Sequence, residues 1–288
     1  MKIVLMTDSC CDLPYSYVKE NNIIVLPLTV NLQGENREDD LGRSLTYKDF
    51  YNAVRSGEMP TTSQVNEYTY EENFKRYADT ETSIIYIGFS SALSGSVNSA
   101  RLALKEIQQQ NLDFDITIID SKSASLGQGL LVYYACEFIK QGKDKEFVVN
   151  WIETNKLKIN HWFTVEDLNH LYRGGRVSKT AATLGSLLSI KPILQVDVEG
   201  RLIPVSKVKG RKKSLRELLD RVKKNIVNPQ AQVVFISHGD CEEDIEELKK
   251  QLLEEVGVKD VVVNCIGPVV GTHAGPGTVA VFFQGEKR

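Results

Sequence analysis

Cysteine is scarce in this 288-residue chain, and its distribution excludes the structures that depend on it. The five residues, at 10, 11, 136, 241 and 265, are odd in number, two are adjacent, and none forms a C-x-x-C pair. A disulfide framework and a cysteine zinc site are therefore not expected, and a reducing compartment fits. Long apolar runs are also missing. None approaches the ~20 residues of a membrane span, and the stretch from Met1 to Thr7 is cut short by Asp8. That stretch is too brief for a signal-peptide core and reads as a first β-strand. The expected setting is cytoplasmic, with no stable membrane insertion. The four histidines (161, 170, 238, 273) lack metal-ligand spacing. There is no Walker pattern, no G-x-G-x-x-G after the first strand and no G-x-S-x-G elbow, so three common nucleotide and acyl-transfer signatures are absent.

What is present is ordinary globular material. Hydrophobic residues make up 42 % and charged residues 25 %, enough for a sizeable core in two modest domains or one large one. The net charge of −3 conceals an asymmetry. Residues 1–150 carry 14 basic and 21 acidic side chains, whereas residues 151–288 carry 21 basic and 17 acidic. The basic excess gathers at Arg201, Lys207, Lys209, Arg211, Lys212, Lys213 and Arg216. A local basic patch on an acidic protein suits an acidic partner or a phosphorylated ligand. It lacks the interleaved aromatics expected of a nucleic-acid surface, so no nucleic-acid partner is expected.

Strand-like and helix-like runs alternate in the first half. Lys2–Thr7, Ile23–Val30, Ser83–Gly88 and Asp115–Ile119 are rich in Ile, Val and Thr, as strands buried on both faces tend to be. Helical patterns lie between them, with Thr46 opening a capping box at Asp49 and Asn66 capping a helix from Glu67. This alternation predicts an α/β fold with a largely parallel, doubly wound sheet. Helices are then expected over Leu126–Gln141 and Lys145–Asn155. A second α/β unit begins near Leu157, giving expected domains 1–156 and 157–288. In it, strands are expected at Lys158–Thr164, Pro192–Val198, Arg201–Val208, Gln232–Ser237, 259–264 and 278–283. Helices are expected at Glu166–Tyr172, Ser178–Ser189, 213–226 and 241–256.

Functional atoms in open α/β sheets collect on loops at the carboxyl ends of strands. Four such loops are rich in hydroxyls or glycine: Thr7-Asp8-Ser9, Pro60-Thr61-Thr62-Ser63-Gln64, Ser90 to Ser96, and Gly267 to Gly277. The second and third would aim hydroxyls and free N–H groups from helix N-termini into one cleft, a constellation that binds an anion. Simple helix capping accounts for either loop by itself. The pattern does not separate phosphate from carboxylate, so a phosphotransferase-type enzyme stands as the alternative to a binding protein. His273, flanked by glycines, has little packing role and is a candidate ligand contact.

At these loops the chain resembles the DegV family, the fatty-acid-binding subunits of the bacterial fatty acid kinase system. The matching elements run nearly end to end. They are Thr7-Asp-Ser-Cys-Cys-Asp-Leu-Pro14, Pro60-Thr-Thr-Ser-Gln64, Ser94-Gly-Ser-Val-Asn-Ser-Ala100, Asp120-Ser121, Arg173-Gly-Gly-Arg176, the run Leu184 to Leu194, Lys207 to Lys213, and Gly267 to Gly277. Val65 stands where the family often has Pro, and Lys209 where Arg is common. The resemblance implies two domains with an acyl chain buried in the interior. It implies Thr62 and Ser94 as leading carboxylate ligands, with Ser63 and the amides around Gly95 assisting and His273 close to the head group. It implies no catalytic residue and no cofactor, the fatty acid itself being the ligand. The carboxyl would be presented to a separate ATP-dependent kinase that makes an acyl phosphate for phospholipid synthesis. Arg173, Arg176 and Arg201 would help dock that kinase. Segments Leu184–Ile193 and Gly127–Ile139 are candidates for lining the acyl tunnel.

Overall fold

The first apolar run forms β1 (Lys2–Asp8), an inner strand of a four-stranded parallel sheet with β2 (Ile24–Leu26), β6 (Thr82–Gly88) and β7 (Asp115–Asp120) in the order β2-β1-β6-β7. The coordinates are a computed structural model that describes residues 2–78, 81–110, 114–178 and 189–288. Every residue of β6 is buried, as expected of a strand covered on both faces. Helices α1 (Tyr15–Glu20), α2 (Tyr47–Arg55), α3 (Glu67–Tyr77) and α4 (Ser96–Gln109) connect the strands. Both predicted N-caps form: Thr46 Oγ1 accepts from the Asp49 amide at 3.1 Å, and Asn66 Oδ1 from the Thr69 amide at 2.8 Å.

The strand expected over Ile23–Val30 is broken in two. Pro27 has no N–H to give a ladder, so β2 stops at Leu26 and β3 (Thr29–Leu32) joins a different sheet. That sheet is antiparallel, ordered β4-β3-β5, with β4 (Glu35–Glu38) and β5 (Thr61–Ser63). The segment Pro60–Gln64, expected to be a loop, is therefore ordered differently, since Thr62 lies on an edge strand rather than on a helix-opening turn.

α5 (Leu126–Lys140) and α6 (Lys145–Asn155) lead to a six-stranded mixed sheet in the order β10-β9-β8-β13-β11-β12. Its strands are β8 (Ile159–Thr164), β9 (Ile190–Val196), β10 (Leu202–Lys209), β11 (Val233–His238), β12 (Asp260–Cys265) and β13 (Val279–Gln284). Among the described residues, no strand of the parallel sheet comes from this half. The remaining α-helices among the described residues are α7 (Asn169–Arg173), α8 (Arg211–Asn225), α9 (Glu243–Gln251) and α10 (Pro268–Ala274). α7 is shorter than the helix expected over Glu166–Tyr172. The helix expected over Ser178–Ser189 falls almost wholly on 179–188, outside the described residues.

α5 is apolar nearly all round because it is a central pillar. It packs on β1 and β6 of one sheet and on β8, β11 and β13 of the other. Side chains of β8 and β13 alternate faces. Phe163, Ala280 and Phe282 join the core around α5, whereas Trp162, Val281 and Phe283 join the core beneath α8 and α9.

Buried carboxylates fasten the loops at the end of β1. Asp8 accepts from the Cys10 amide (3.1 Å), the Phe89 amide (2.9 Å), Tyr86 OH (2.8 Å) and Gln128 Nε2 (3.2 Å). Tyr86 OH also meets Tyr70 OH at 2.6 Å. Burial raises the Asp8 pKa, and these donors oppose the rise. Because a buried acceptor that loses its donor costs ~1–3 kcal/mol, Tyr86→Phe is expected to lower the unfolding free energy by that amount, read as a lower urea midpoint at unchanged m-value. An unaltered midpoint would show that the Tyr86–Asp8 bond carries no net stability.

Candidate functional site

Between the two large sheets lies a cavity of about 420 Å³, within the range of ~300–1,000 Å³ typical of small-molecule sites. Its walls are mostly apolar, drawn from Leu28, Phe89, Phe163, Val269, Val270 and Phe282. Polar groups gather where it meets the loops: Thr62, Gln64, Ser94, Gly95, Arg176 and His273 all line it. Three of the elements that carry them are unconnected in sequence, and the fold places them side by side.

Thr62 is presented by β5, whose register on β3 pairs it with Val30. His273 is presented by α10, a seven-residue helix begun by Pro268 at its first turn, where a missing N–H has no cost. Thr62 Oγ1 and His273 Nε2 are 2.9 Å apart. Burial, and then the nearby Arg176, lowers the His273 pKa to about 4, so the ring is neutral near pH 7. His273 Nδ1 is buried without a hydrogen-bond partner. It rests against Gly174, where an added Cβ would lie 2.1 Å from it. The wall of the Arg173-Gly-Gly-Arg176 turn thus fixes the imidazole, and a neutral ring with Nε2–H facing Thr62 would let the threonine hydroxyl donate onward.

Ser94 and Gly95 precede α4. Gly95 is the N-cap residue with no side-chain cap, and Ser94 Oγ accepts from the Ser96 amide at 3.3 Å. The start of this fourteen-residue helix adds unpaired N–H groups and the positive end of its dipole to the same mouth. Gln64 lies over Gly95 and donates from Nε2 to Ser99 Oγ at 3.0 Å. Ser63, expected to assist, is exposed and not part of the cavity wall, because successive residues of β5 point to opposite faces.

Arg176 is turned inward. Its guanidinium donates to the Leu93 carbonyl from Nε (3.2 Å) and Nη2 (3.0 Å), and Nη1 donates to the Gly174 carbonyl. Among the described residues it makes no ion pair with a carboxylate. A half-buried cation without a counter-charge therefore sits at the mouth, a feature that the sequence reading placed on the docking surface instead. Arg173 and Arg201 are exposed; Arg173 Nη2 lies 3.1 Å from His170 Nδ1, and Arg201 Nε lies 3.1 Å from Asp197 Oδ2.

On the other side of the Thr62–His273 pair is a second, polar pocket of about 370 Å³. It shares Thr62, Arg176 and His273 with the inner cavity and adds Glu58, His170 and Arg173. The expected tunnel walls need correction. The helix Gly127–Ile139 contributes no residue to the cavity lining, and neither do residues 189–193. α5 is consumed in bridging the sheets, and β8 and β13 supply the apolar wall in its place. Residues 184–188 lie outside the described set. Arg176, expected on a docking face, and Gln64, at the end of the Pro60–Gln64 loop, both line the cavity; the β8–β13 wall has no signal in the sequence.

This fold and site define a class of protein: an α/β scaffold whose two large sheets flank an apolar cavity with anion donors at its mouth. The family model described as "uncharacterised protein, DegV family" matches residues 2–286, and the chain belongs to that family. A DegV domain-containing protein of Clostridium perfringens is 49 % identical over 287 residues, covering 100 % of this chain and 99 % of the relative. The structure of a fatty-acid-binding DegV family protein from Thermus thermophilus superposes with TM-score 0.89 at 30 % identity, covering 99 % of this chain and 100 % of that one. The Streptococcus pneumoniae fatty acid kinase B3 protein, solved with linoleic acid, shares the fold with TM-score 0.86 at 23 % identity, covering 99 % and 100 % of the two chains.

The His273 environment makes a direct prediction. Its ring is expected to protonate near pH 4 rather than 6.5 in a histidine NMR titration. The unfolded chain takes up that proton near 6.5, so His273 should draw stability down as pH falls from about 6.5 to about 4. An ordinary midpoint would mean that the ring is not sealed against Gly174 and Arg176.

Proposed function

We propose that this protein binds one long-chain fatty acid, with the carboxylate at Thr62, Ser94, Gly95 and His273 and the chain in the interior cavity, and presents the carboxyl to a separate ATP-dependent kinase. It acts as a carrier and not as the catalyst. The observation that carries this reading is the wall shared by two unlike pockets: apolar on the inner side, polar and open to Arg173 on the outer side. A ligand that fits both has one anionic end and a hydrocarbon remainder.

The energetics agree. Burying a long acyl chain contributes on the order of 10 kcal/mol at ~0.8 per methylene, before the cost of association. A carboxylate at the mouth cannot be desolvated unpaired. Hydroxyl donors and the α4 start meet it without fixing it in a tight ion pair, and Arg176 supplies a positive field from nearby. The carboxyl then stays accessible from the outer pocket, where a kinase could bring a phosphoryl donor. Exposed Arg173 and Arg201, with the basic run 207–213, form the docking face in this proposal. The likeness to fatty-acid-binding relatives points the same way, and the apolar cavity disfavours a free phosphate ligand.

Native mass spectrometry of protein from a bacterial host is the test. The expected result is a co-purified fatty acid that organic extraction removes; a bound nucleotide or phosphate in its place would contradict the proposal. Thr62→Ala combined with Ser94→Ala removes two hydrogen bonds to a charged group, each worth ~1.5–3 kcal/mol. Affinity should fall by roughly 10²- to 10⁴-fold with the circular dichroism spectrum unchanged, and full retention would refute the head-group assignment. Charge reversal at Arg173 or Arg201 should slow acyl phosphate formation by the kinase while lipid binding is unaltered. Equal rates would remove these arginines from the docking face.

A further inference from the structure

His161 lines the same cavity as Thr62 and His273 and is a buried imidazole among Phe163, Ala280 and Phe282 of the β8–β13 wall. Along β8 the chain runs from His161 to Thr164 and on into the turn carrying Gly174 and Arg176. At ~3.3 Å per residue, His161 lies about 10 Å back along the strand from Thr164, toward the end of β8 away from that turn.

Three contacts hold the ring. Nδ1 is 2.9 Å from the Ile159 carbonyl oxygen. Burial, and then the charge of Arg288, keep the imidazole neutral, so Nδ1 carries the single ring proton and donates it to that carbonyl. Phe282, its register partner on β13, packs edge-on with ring centroids 5.3 Å apart at 85°. The third side is Gly127 on α5. Nε2 has no hydrogen-bond partner and fills the place where a side chain at 127 would begin, because a Cβ there would lie 2.0 Å from Nε2 and 2.5 Å from Cδ2. Gly127 has no left-handed backbone to account for it, and glycine is a poorer helix former than alanine. The imidazole accounts for the missing side chain.

We infer that His161 and Gly127 together set the acyl length the cavity accepts: the ring, parked over the bare Cα, is a retracted wall that any side chain at 127 would push into the lumen. This rests on the fatty-acid reading given above and assigns the tail, not the head, to these two residues. Ile159 and Phe282 close the other sides of the ring, so the cavity is the open direction for a displaced imidazole.

The test compares wild type, Gly127→Ala, His161→Ala and the double variant. Each is loaded with saturated acids from lauric to arachidic, in pairwise competition, and the retained lipid is read by native mass spectrometry. Gly127→Ala is expected to keep the short acids and lose the long ones, about fourfold in relative affinity for each methylene displaced. His161→Ala is expected to move the preference to longer acids, and the double variant to regain the long acids lost by Gly127→Ala. A length profile in His161→Ala identical to wild type overturns the inference. So does a double variant that accepts no longer acids than Gly127→Ala. If Gly127→Ala does not fold, the His161→Ala and double-variant profiles decide, the double variant being expected to fold because the clash is gone. Absence of any bound acid in wild type would instead strike the fatty-acid reading itself.

Discussion

Carboxylates buried beneath the cavity floor hold its four loops in place. Asp8 gathers the amides of Cys10 and Phe89 with Tyr86 and Gln128. Asp12 receives the Ser125 hydroxyl and the Gly267 amide at 2.9 Å, and its backbone oxygen receives Asn264 Nδ2 at 2.7 Å. Asp39 receives the Val269 amide at 3.2 Å, at the start of the helix bearing His273. Burial raises all three pKa values, that of Asp39 to about 7. Such groups are costly to bury and costly to strip of a partner. They tie the ends of β1 and β6, the turn before α5 and the segment 264–274 into one frame, and the cavity is the space that frame encloses.

Within that frame the mouth handles charge without a carboxylate-cation lock. A neutral imidazole, two hydroxyls and a helix start are donors whose strength depends on orientation, and Arg176 is held by carbonyls rather than by an acid. A guanidinium paired directly to a ligand carboxyl would hold both oxygens and hide them from a second protein. Donors arranged around one side leave the other exposed to the polar outer pocket. In the proposed function, the geometry that holds the fatty acid also leaves its carboxyl reachable.

Much of the fold was legible because β6 and α5 announce themselves through composition, and Thr46 and Asn66 through cap chemistry. The site was legible in part. Thr62, Ser94, Gly95 and His273 line one cavity, but their local structure was not readable. Thr61–Ser63 is too short and polar to signal a strand, and it becomes one only because β3 offers an edge after Pro27. Residues 268–274 contain proline and glycine and still form a helix, because Asp39 and Asp12 receive amides at its start. Ser63 was misplaced because strand alternation turns it outward. The inward turn of Arg176 depends on the Leu93 carbonyl, 83 positions away, which no local pattern encodes. The apolar cavity wall on β8 and β13 likewise looks in sequence like any other core.

The central claim is that one carboxyl group is gripped between β5, α10 and the start of α4 while its hydrocarbon lies between the sheets. A crystal structure of the protein loaded with palmitate tests it most directly. The account predicts a carboxylate oxygen within hydrogen-bonding distance of Thr62 Oγ1, the Ser94–Gly95 turn beside it, and the chain running inward past Phe163. A carboxylate bound elsewhere, or a chain lying outside the cavity, would contradict it.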